Sequence, residues 1–282
     1  MKKPTIVIIG GTSKFGKFWQ RYFEEKGLQV IIASRSTTIT PEEAVKQGDI
    51  IIISVSIRST LDVIKNIIPH IPPGKLLIDF TGIKTEATRA LSKYTTGEVI
   101  ATHPMFGPWI ASLKDQNIAF DPVCHGEKWE YLKNIWKSDG ANLIKLSSKK
   151  HDELVAIVQS MVHIINLLFG HILVKRGINI KELMNISTPN SRMQLSILAR
   201  FLNQEAELYT DMQIENTIYK NEILPDIQSY LSQVIGTIQD NKSDEFEKEF
   251  NSIKEYIGID FLTKSLKVSS EFDEHIKKSL SL

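Results

Sequence analysis

At 282 residues the chain is longer than one average domain, and its 42% hydrophobic and 24% charged content is that of a globular protein, which excludes disorder. With 34 basic against 33 acidic residues the net charge is +1, so no general field draws nucleic acid or a membrane surface, and any anionic ligand must be held by local groups. The lone Cys124 excludes an internal disulfide framework and a cysteine zinc cluster and reads as a small buried apolar residue, while no His/Asp/Glu set has metal-ligand spacing.

The opening MKKPTIVIIGG is apolar only from Ile6 to Ile9 before Gly10 and Gly11, too short for a signal peptide. No run approaches the length of a membrane span, so a cytoplasmic protein is expected. Residues 5–9 are a short β-branched run ending in glycine, the pattern of a buried strand. Residues 14–26 carry Phe15, Trp19, Tyr22 and Phe23 at helical spacing, Gly27 closes that helix, and 28–33 is a second strand. Pro41 opens a short helix (PEEAVKQ), and Asp49 leads into IIIISV, a strand buried on both faces. Beyond it come helix 60–68, strand 75–80, helix 84–94, strands 98–101 and 117–120, helix 129–137 and strand 142–145. This alternation requires crossover connections, hence a mainly parallel sheet covered on both sides: a Rossmann-type α/β domain over residues 1–147.

From residue 148 the character changes. Residues 151–175 are apolar nearly all the way round, the mark of a helix buried at the centre of something. Helices follow over 180–184, 191–202, 206–219, 223–239 and 243–256, and no strand signal returns, so 148–282 reads as an all-α domain. So small a helical domain would struggle to cover so apolar a helix, and a homodimer through this half is the natural remedy.

The first strand runs into Gly10-Gly11-Thr12-Ser13-Lys14-Phe15-Gly16 and a helix, the context a dinucleotide fingerprint needs. Gly11 and Gly16 take its first and third glycine positions. Ser13 takes the second, where a hydroxyl could bond a phosphate oxygen. The second strand ends Ala33-Ser34-Arg35-Ser36 with no carboxylate for a ribose 2′-hydroxyl, and a guanidinium there suits the 2′-phosphate of NADP better than NAD. Downstream, Thr102-His103-Pro104-Met105-Phe106-Gly107-Pro108 follows a strand at the carboxyl edge of the sheet, where a histidine is a natural general base.

The HPMFGP run resembles the prephenate dehydrogenase signature, and other matching segments follow in order: Ser54-Val55-Ser56-Ile57, residues 79–84 (DFTGIK), His151-Asp152, Gln159 and His163, residues 187–192 (STPNSR), then Arg200-Phe201 through Leu208-Tyr209. The likeness spans nearly the whole chain and is greatest to the type often fused behind a chorismate mutase, a part not expected here. It implies oxidative decarboxylation of prephenate. His103 would take the proton of the ring 4-hydroxyl, hydride would pass to a nicotinamide, and carbon dioxide would leave as the ring becomes aromatic. Arg192 would grip a substrate carboxylate, with Gln159, His163 and Tyr209 lining the pocket; the first two lie four apart and share a helix face. The cofactor-binding set is Gly10, Gly11, Thr12, Ser13, Phe15, Gly16, Ser34, Arg35, Ser54 and Ser56.

Three positions depart from the family pattern: Gly82 stands where serine is usual, Ser56 replaces a proline, and Ser191 replaces a tyrosine. They leave room for slow turnover of prephenate, or for a relative such as arogenate or 4-amino-4-deoxyprephenate. A non-catalytic dinucleotide sensor is the alternative of another class. A β-hydroxyacid-type dehydrogenase is disfavoured because residues 151–173 hold no lysine.

Overall fold

A computed structural model of the chain describes residues 3–279. It divides into two compact units, Met1–Ala156 with Thr210–Asn216, and Ile157–Tyr209 with Thr217–Leu282.

The first unit is built on seven strands: β1 (Ile6–Ile9), β2 (Val30–Ala33), β3 (Ile50–Ile53), β4 (Leu76–Asp79), β5 (Glu98–Pro104), β6 (Asn117–Cys124) and β7 (Asn142–Lys145). They lie in the order β2-β1-β3-β4-β5-β6-β7. Every neighbouring pair is parallel except β5 with β6. The link over residues 105–116 carries no helix to cross the sheet, so the chain returns antiparallel. Helices α1 (Lys14–Glu25), α2 (Pro41–Ala44), α3 (Ile57–Ile67), α4 (Thr85–Leu91), α5 (Glu127–Ser138) and α6 (Ser148–Val155) complete the unit.

The aliphatic runs of β1, β3 and β4 are wholly buried because both faces are covered. Successive side chains alternate sides: Ile6, Ile8, Ile50 and Ile52 pack with Trp19 and Phe23 of α1 and Trp129 and Trp136 of α5. Val7, Ile9, Ile51 and Ile53 pack with Ile64 and Ile67 of α3 and Leu91 of α4. The strand order reverses between β1 and β3, and in open α/β sheets ligands bind outside the carboxyl ends at such a switch point.

Residues 210–216 count with this unit for a physical reason. Asp211 takes the Arg58 Nε at 2.7 Å, and Met212 packs with Ile57, Ile83 and Val155. Compactness thus divides the chain after Ala156 rather than at 147, because α6 packs onto the sheet unit.

The second unit carries α7 (Val162–Arg176), α8 (Ile180–Asn185), α9 (Pro189–Leu202), the start of α10 (Ala206–Glu215), α11 (Leu224–Gln239), α12 (Ser243–Ile257) and α13 (Ile259–Ser279). The long apolar helix expected over 151–175 is interrupted: Ala156–Met161 forms a π-helical stretch between α6 and α7. The α13 helix, set off by Gly258 at φ +86°, goes beyond the helices read from the sequence.

Three expectations need correcting. The run Ser148–Arg176, 29 residues, is long and apolar enough to cross a membrane by length and composition. Nor is it buried at the centre of this chain: only 11% of its apolar window is covered, and Val158, Ile165, Leu168 and Ile172 are exposed. Helices apolar on every side satisfy both tests until something covers them. Cys124, read as buried, is exposed at the end of β6.

Candidate active site

Three glycines, two in the turn after β1 and one in the helix behind it, leave no room for a side chain. Gly10 has φ +87°, and a Cβ there would lie 2.2 Å from the Ser54 carbonyl oxygen beyond β3. One at Gly11 would meet the Ile32 side chain at 2.5 Å, and one at Gly16 the Gly10 carbonyl oxygen at 2.6 Å. These approaches set the N-terminus of α1 at the switch point, with Thr12 and Ser13 exposed. Ser13 caps that helix: its Oγ accepts from the Gly16 N–H at 2.9 Å, which leaves the hydroxyl hydrogen to donate outward. Phe15 points inward, its ring 6.1 Å from those of Phe80 and Phe106.

After β2, the Ser34 N–H donates to Thr37 Oγ1 at 2.7 Å and the Ser34 and Ser36 hydroxyls lie 3.0 Å apart. Arg35 is exposed with no partner among the described residues. Ser54 is buried, its N–H on the Ile9 carbonyl at 2.8 Å, and the Ser56 hydroxyl donates to that of Ser59 at 2.9 Å. A tight glycine turn leading into a helix N-terminus, with exposed hydroxyls at Thr12 and Ser13, fits a dinucleotide pyrophosphate.

His103 stands at the carboxyl end of β5, buried. Its Nδ1 lies 2.9 Å from His151 Nε2, and His151 Nδ1 lies 2.9 Å from Asp152 Oδ1, so α6 feeds a three-member chain. The Asp152 oxygens also accept the Lys84 and Thr85 N–H groups, each at 2.8 Å, and so cap α4 from outside. Burial, then repulsion from His151 and the Lys84 cation, holds the His103 pKa well below the ordinary imidazole value. Burial lowers His151 as well and prevails over the upward pull of the Asp152 hydrogen bond, with the Lys84 cation adding to the downward shift. For Asp152 burial works upward, but the bonds from His151, Thr85 and Lys84 prevail and its pKa falls. At neutral pH the chain is therefore two neutral rings and a carboxylate.

At the start of α4, Lys84 Nζ donates to Asp79 Oδ2 at 2.5 Å and to the Thr102 carbonyl at 2.6 Å. Asp79, at the end of β4, is fully buried and also takes the Thr81 N–H at 3.2 Å. Burial drives Asp79 upward and Lys84 downward, and their contact opposes both shifts. A methyl added at Gly82 would lie 3.7 Å from both Cε1 and Nε2 of His103, so this position borders the free edge of the ring. Neighbouring Thr81 has a buried hydroxyl oxygen without a partner.

In the helical unit the ring of His163, on α7, lies 4.5 Å from Tyr209 and 5.3 Å from Phe201. Burial lowers the His163 pKa to about 4. Its Nδ1 and the Gln159 Oε1, in the π-helical stretch, are buried without hydrogen-bond partners. Such atoms cost roughly 1–3 kcal/mol each unless a ligand or water satisfies them. Arg192, on α9, is already engaged. Its Nε and Nη2 meet the two Asp273 oxygens at 2.7 Å each, and Nη1 donates to the Ser187 carbonyl at 2.5 Å. Those bonds hold Asp273 down at about 2.

A dinucleotide-binding sheet with a histidine chain at its carboxyl edge, continued by a helical unit, defines the class. The chain belongs to the prephenate dehydrogenase family: the family's nucleotide-binding domain matches residues 25–145 and its dimerization domain residues 147–252. It is 32% identical over 273 residues to a probable arogenate/prephenate dehydrogenase of Methanocaldococcus jannaschii, covering 90% of this chain and 61% of that one, so it spans only about three fifths of that relative. The T-protein of Haemophilus influenzae is 28% identical over 94% of this chain and 70% of its own length. Among solved structures, prephenate dehydrogenase from A. aeolicus with hydroxyphenyl propionate and NAD+ superposes with a TM-score of 0.68 at 14% identity, covering 90% of this chain and 97% of that one. Synechocystis arogenate dehydrogenase gives 0.61 at 20% identity, covering 89% and 97%. At those identities the likeness is one of fold.

The sequence names His103 but not the support around it. His151 and Asp152 show only as a matching pair, 48 positions from His103, and Lys84 and Asp79 only as ends of a matching run. No periodicity links Arg192 to Asp273, 81 residues on.

Proposed function

We propose that the protein is a nicotinamide-dependent dehydrogenase that converts prephenate to 4-hydroxyphenylpyruvate, acting as a cytoplasmic homodimer. The observation that carries the reading is a buried imidazole at the carboxyl edge of the sheet, tied through Nδ1 and held neutral, on the same edge as the tight glycine turn after β1. His103 Nε2 takes the proton of the ring 4-hydroxyl, and neutral imidazole is the form that can accept it. A bound nicotinamide would supply the hydride acceptor for that same carbon, and loss of carbon dioxide would leave an aromatic ring. Gly10, Gly11, Thr12, Ser13 and Gly16 hold the pyrophosphate, with Ser54 and Ser56 bordering the switch point. Exposed Arg35 favours the 2′-phosphate of NADP over NAD, since no acidic residue ends β2. Arg192 is assigned to a substrate carboxylate, which must compete with Asp273, and the orphaned atoms of Gln159 and His163, with Tyr209, to its polar contacts.

Arogenate and 4-amino-4-deoxyprephenate are the related substrates. A relative in Streptomyces pristinaespiralis, 23% identical over 228 residues, which is 74% of this chain and 77% of that one, carries the latter name. The test is turnover of all three substrates with each cofactor. Prephenate with NADP is expected to give the highest kcat/KM, and His103→Asn to bind cofactor normally while losing roughly 10²–10⁴-fold in kcat. Tight cofactor binding with no turnover of any of them would replace this reading with a sensor.

A further inference from the structure

We infer that His151 and Asp152 are positioning residues for His103: their hydrogen-bond chain fixes its ring as the Nδ1–H tautomer and leaves Nε2 as the bare, proton-accepting nitrogen. The inference rests on His103 being the base, and deepens that reading by saying why one nitrogen is the reactive one.

The deduction starts at the far end. Asp152 receives two backbone N–H groups at the start of α4 and its pKa is lowered, so it is an ionised carboxylate and only accepts. His151 Nδ1, 2.9 Å away, must then carry the hydrogen. A neutral His151 has its lone pair on Nε2, and the contact at 2.9 Å obliges His103 Nδ1 to donate. A neutral His103 so bonded has Nε2 bare, on the edge of the ring that borders Gly82. No other tautomer satisfies all three members.

The charged groups around the rings agree. Lys84 disfavours a proton on either imidazole, while its own charge is met by Asp79 and the Thr102 carbonyl. Once Nε2 takes the substrate proton, an O–H bond is exchanged for an N–H bond and His103 becomes cationic. Its Nδ1–H is then already aimed through His151 at the Asp152 carboxylate, which stabilises that charge without reorganisation.

Three variants and one spectroscopic measurement test this. His151→Leu removes the acceptor, and kcat is expected to fall about a hundredfold with KM and cofactor affinity unchanged. His151→Gln can accept from His103 through its carbonyl and donate to Asp152 through its amide, and is expected to recover most of that loss. Asp152→Asn is expected to lower kcat in the same sense as His151→Leu. In 15N NMR of the substrate-free protein, His103 Nε2 is expected to report a bare nitrogen in the wild type and a protonated fraction in His151→Leu. This last readout needs no turnover, so it decides the tautomer even if no cyclohexadienyl substrate reacts, which would sink the enzymatic reading alone. A protonated Nε2 in the wild type would overturn the inference, as would wild-type kcat in His151→Leu. Should His151→Leu not fold, the wild-type spectrum and His151→Gln still decide.

Discussion

A buried ammonium such as that of Lys84 is tolerable only beside its carboxylate. Removing one member of a buried pair strands the other, at a cost of about 3–5 kcal/mol. Lys84→Met is therefore expected to destabilise the sheet unit by about that amount, read from chemical denaturation, and an unchanged midpoint would show the pair to be dispensable. The histidines make a second prediction with a definite sign. His103 and His163 have folded pKa values below the ordinary 6.5, His163 at about 4. Between those values and 6.5 the unfolded chain binds more protons than the native one, so stability falls as pH drops through that window. The urea midpoint should be lower at pH 5 than at pH 7, with the gap narrowed in His163→Phe. Activity has the same origin: the acid limb of kcat/KM should lie below pH 6.5, since His103 sheds its proton early. Legibility at this scale was uneven. His103 could be named because a strand end and a motif coincide there, whereas its protonation depends on burial and on Lys84, which the linear chain does not display.

Among the elements, α13 bears most directly on the assigned carboxylate site. It lies beyond the matched family domains, yet Asp273 occupies the guanidinium of Arg192 in both Nε and Nη2 directions. Because the Asp273 pKa is depressed to about 2, this pairing is fully present above the ordinary carboxylate value near 4 and is lost only as pH falls toward 2. Asp273→Ala should free Arg192, lower KM for a carboxylate substrate, and speed proteolysis within α13. A higher KM with unchanged proteolysis would instead make Asp273 part of the binding arrangement. The strands were easier to read than the helix ends, since aliphatic runs between glycines leave few alternatives. The π-helical stretch Ala156–Met161 was not legible, because a π turn changes hydrogen-bond partners without changing residue type.

For the molecule as a whole, the unanswered surface is that of α7. Leu168 and Ile172 lie one turn apart and are 49% and 45% exposed, a burden that a soluble single chain does not carry for long. The match to a dimerization domain supports a second copy as the cover. Leu168→Glu with Ile172→Glu should shift the protein from dimer to monomer in sedimentation while cofactor binding persists. A wild-type monomer, or a mutant that stays dimeric, would move the interface elsewhere.

Period and punctuation alone determined the alternation of strands and helices, the glycine turn and the change of character near residue 148, and a motif at a strand end marked His103 as the candidate base. These are properties of neighbours along the chain, and neighbours are what a sequence records. Only the folded structure decided that His103 leans on His151, that the Lys84 charge acts on both rings, that Arg192 is held by Asp273, and that the most apolar helix remains uncovered. Each depends on groups far apart in sequence meeting in a low dielectric, where burial and a few tenths of an ångström set charge, tautomer and partner.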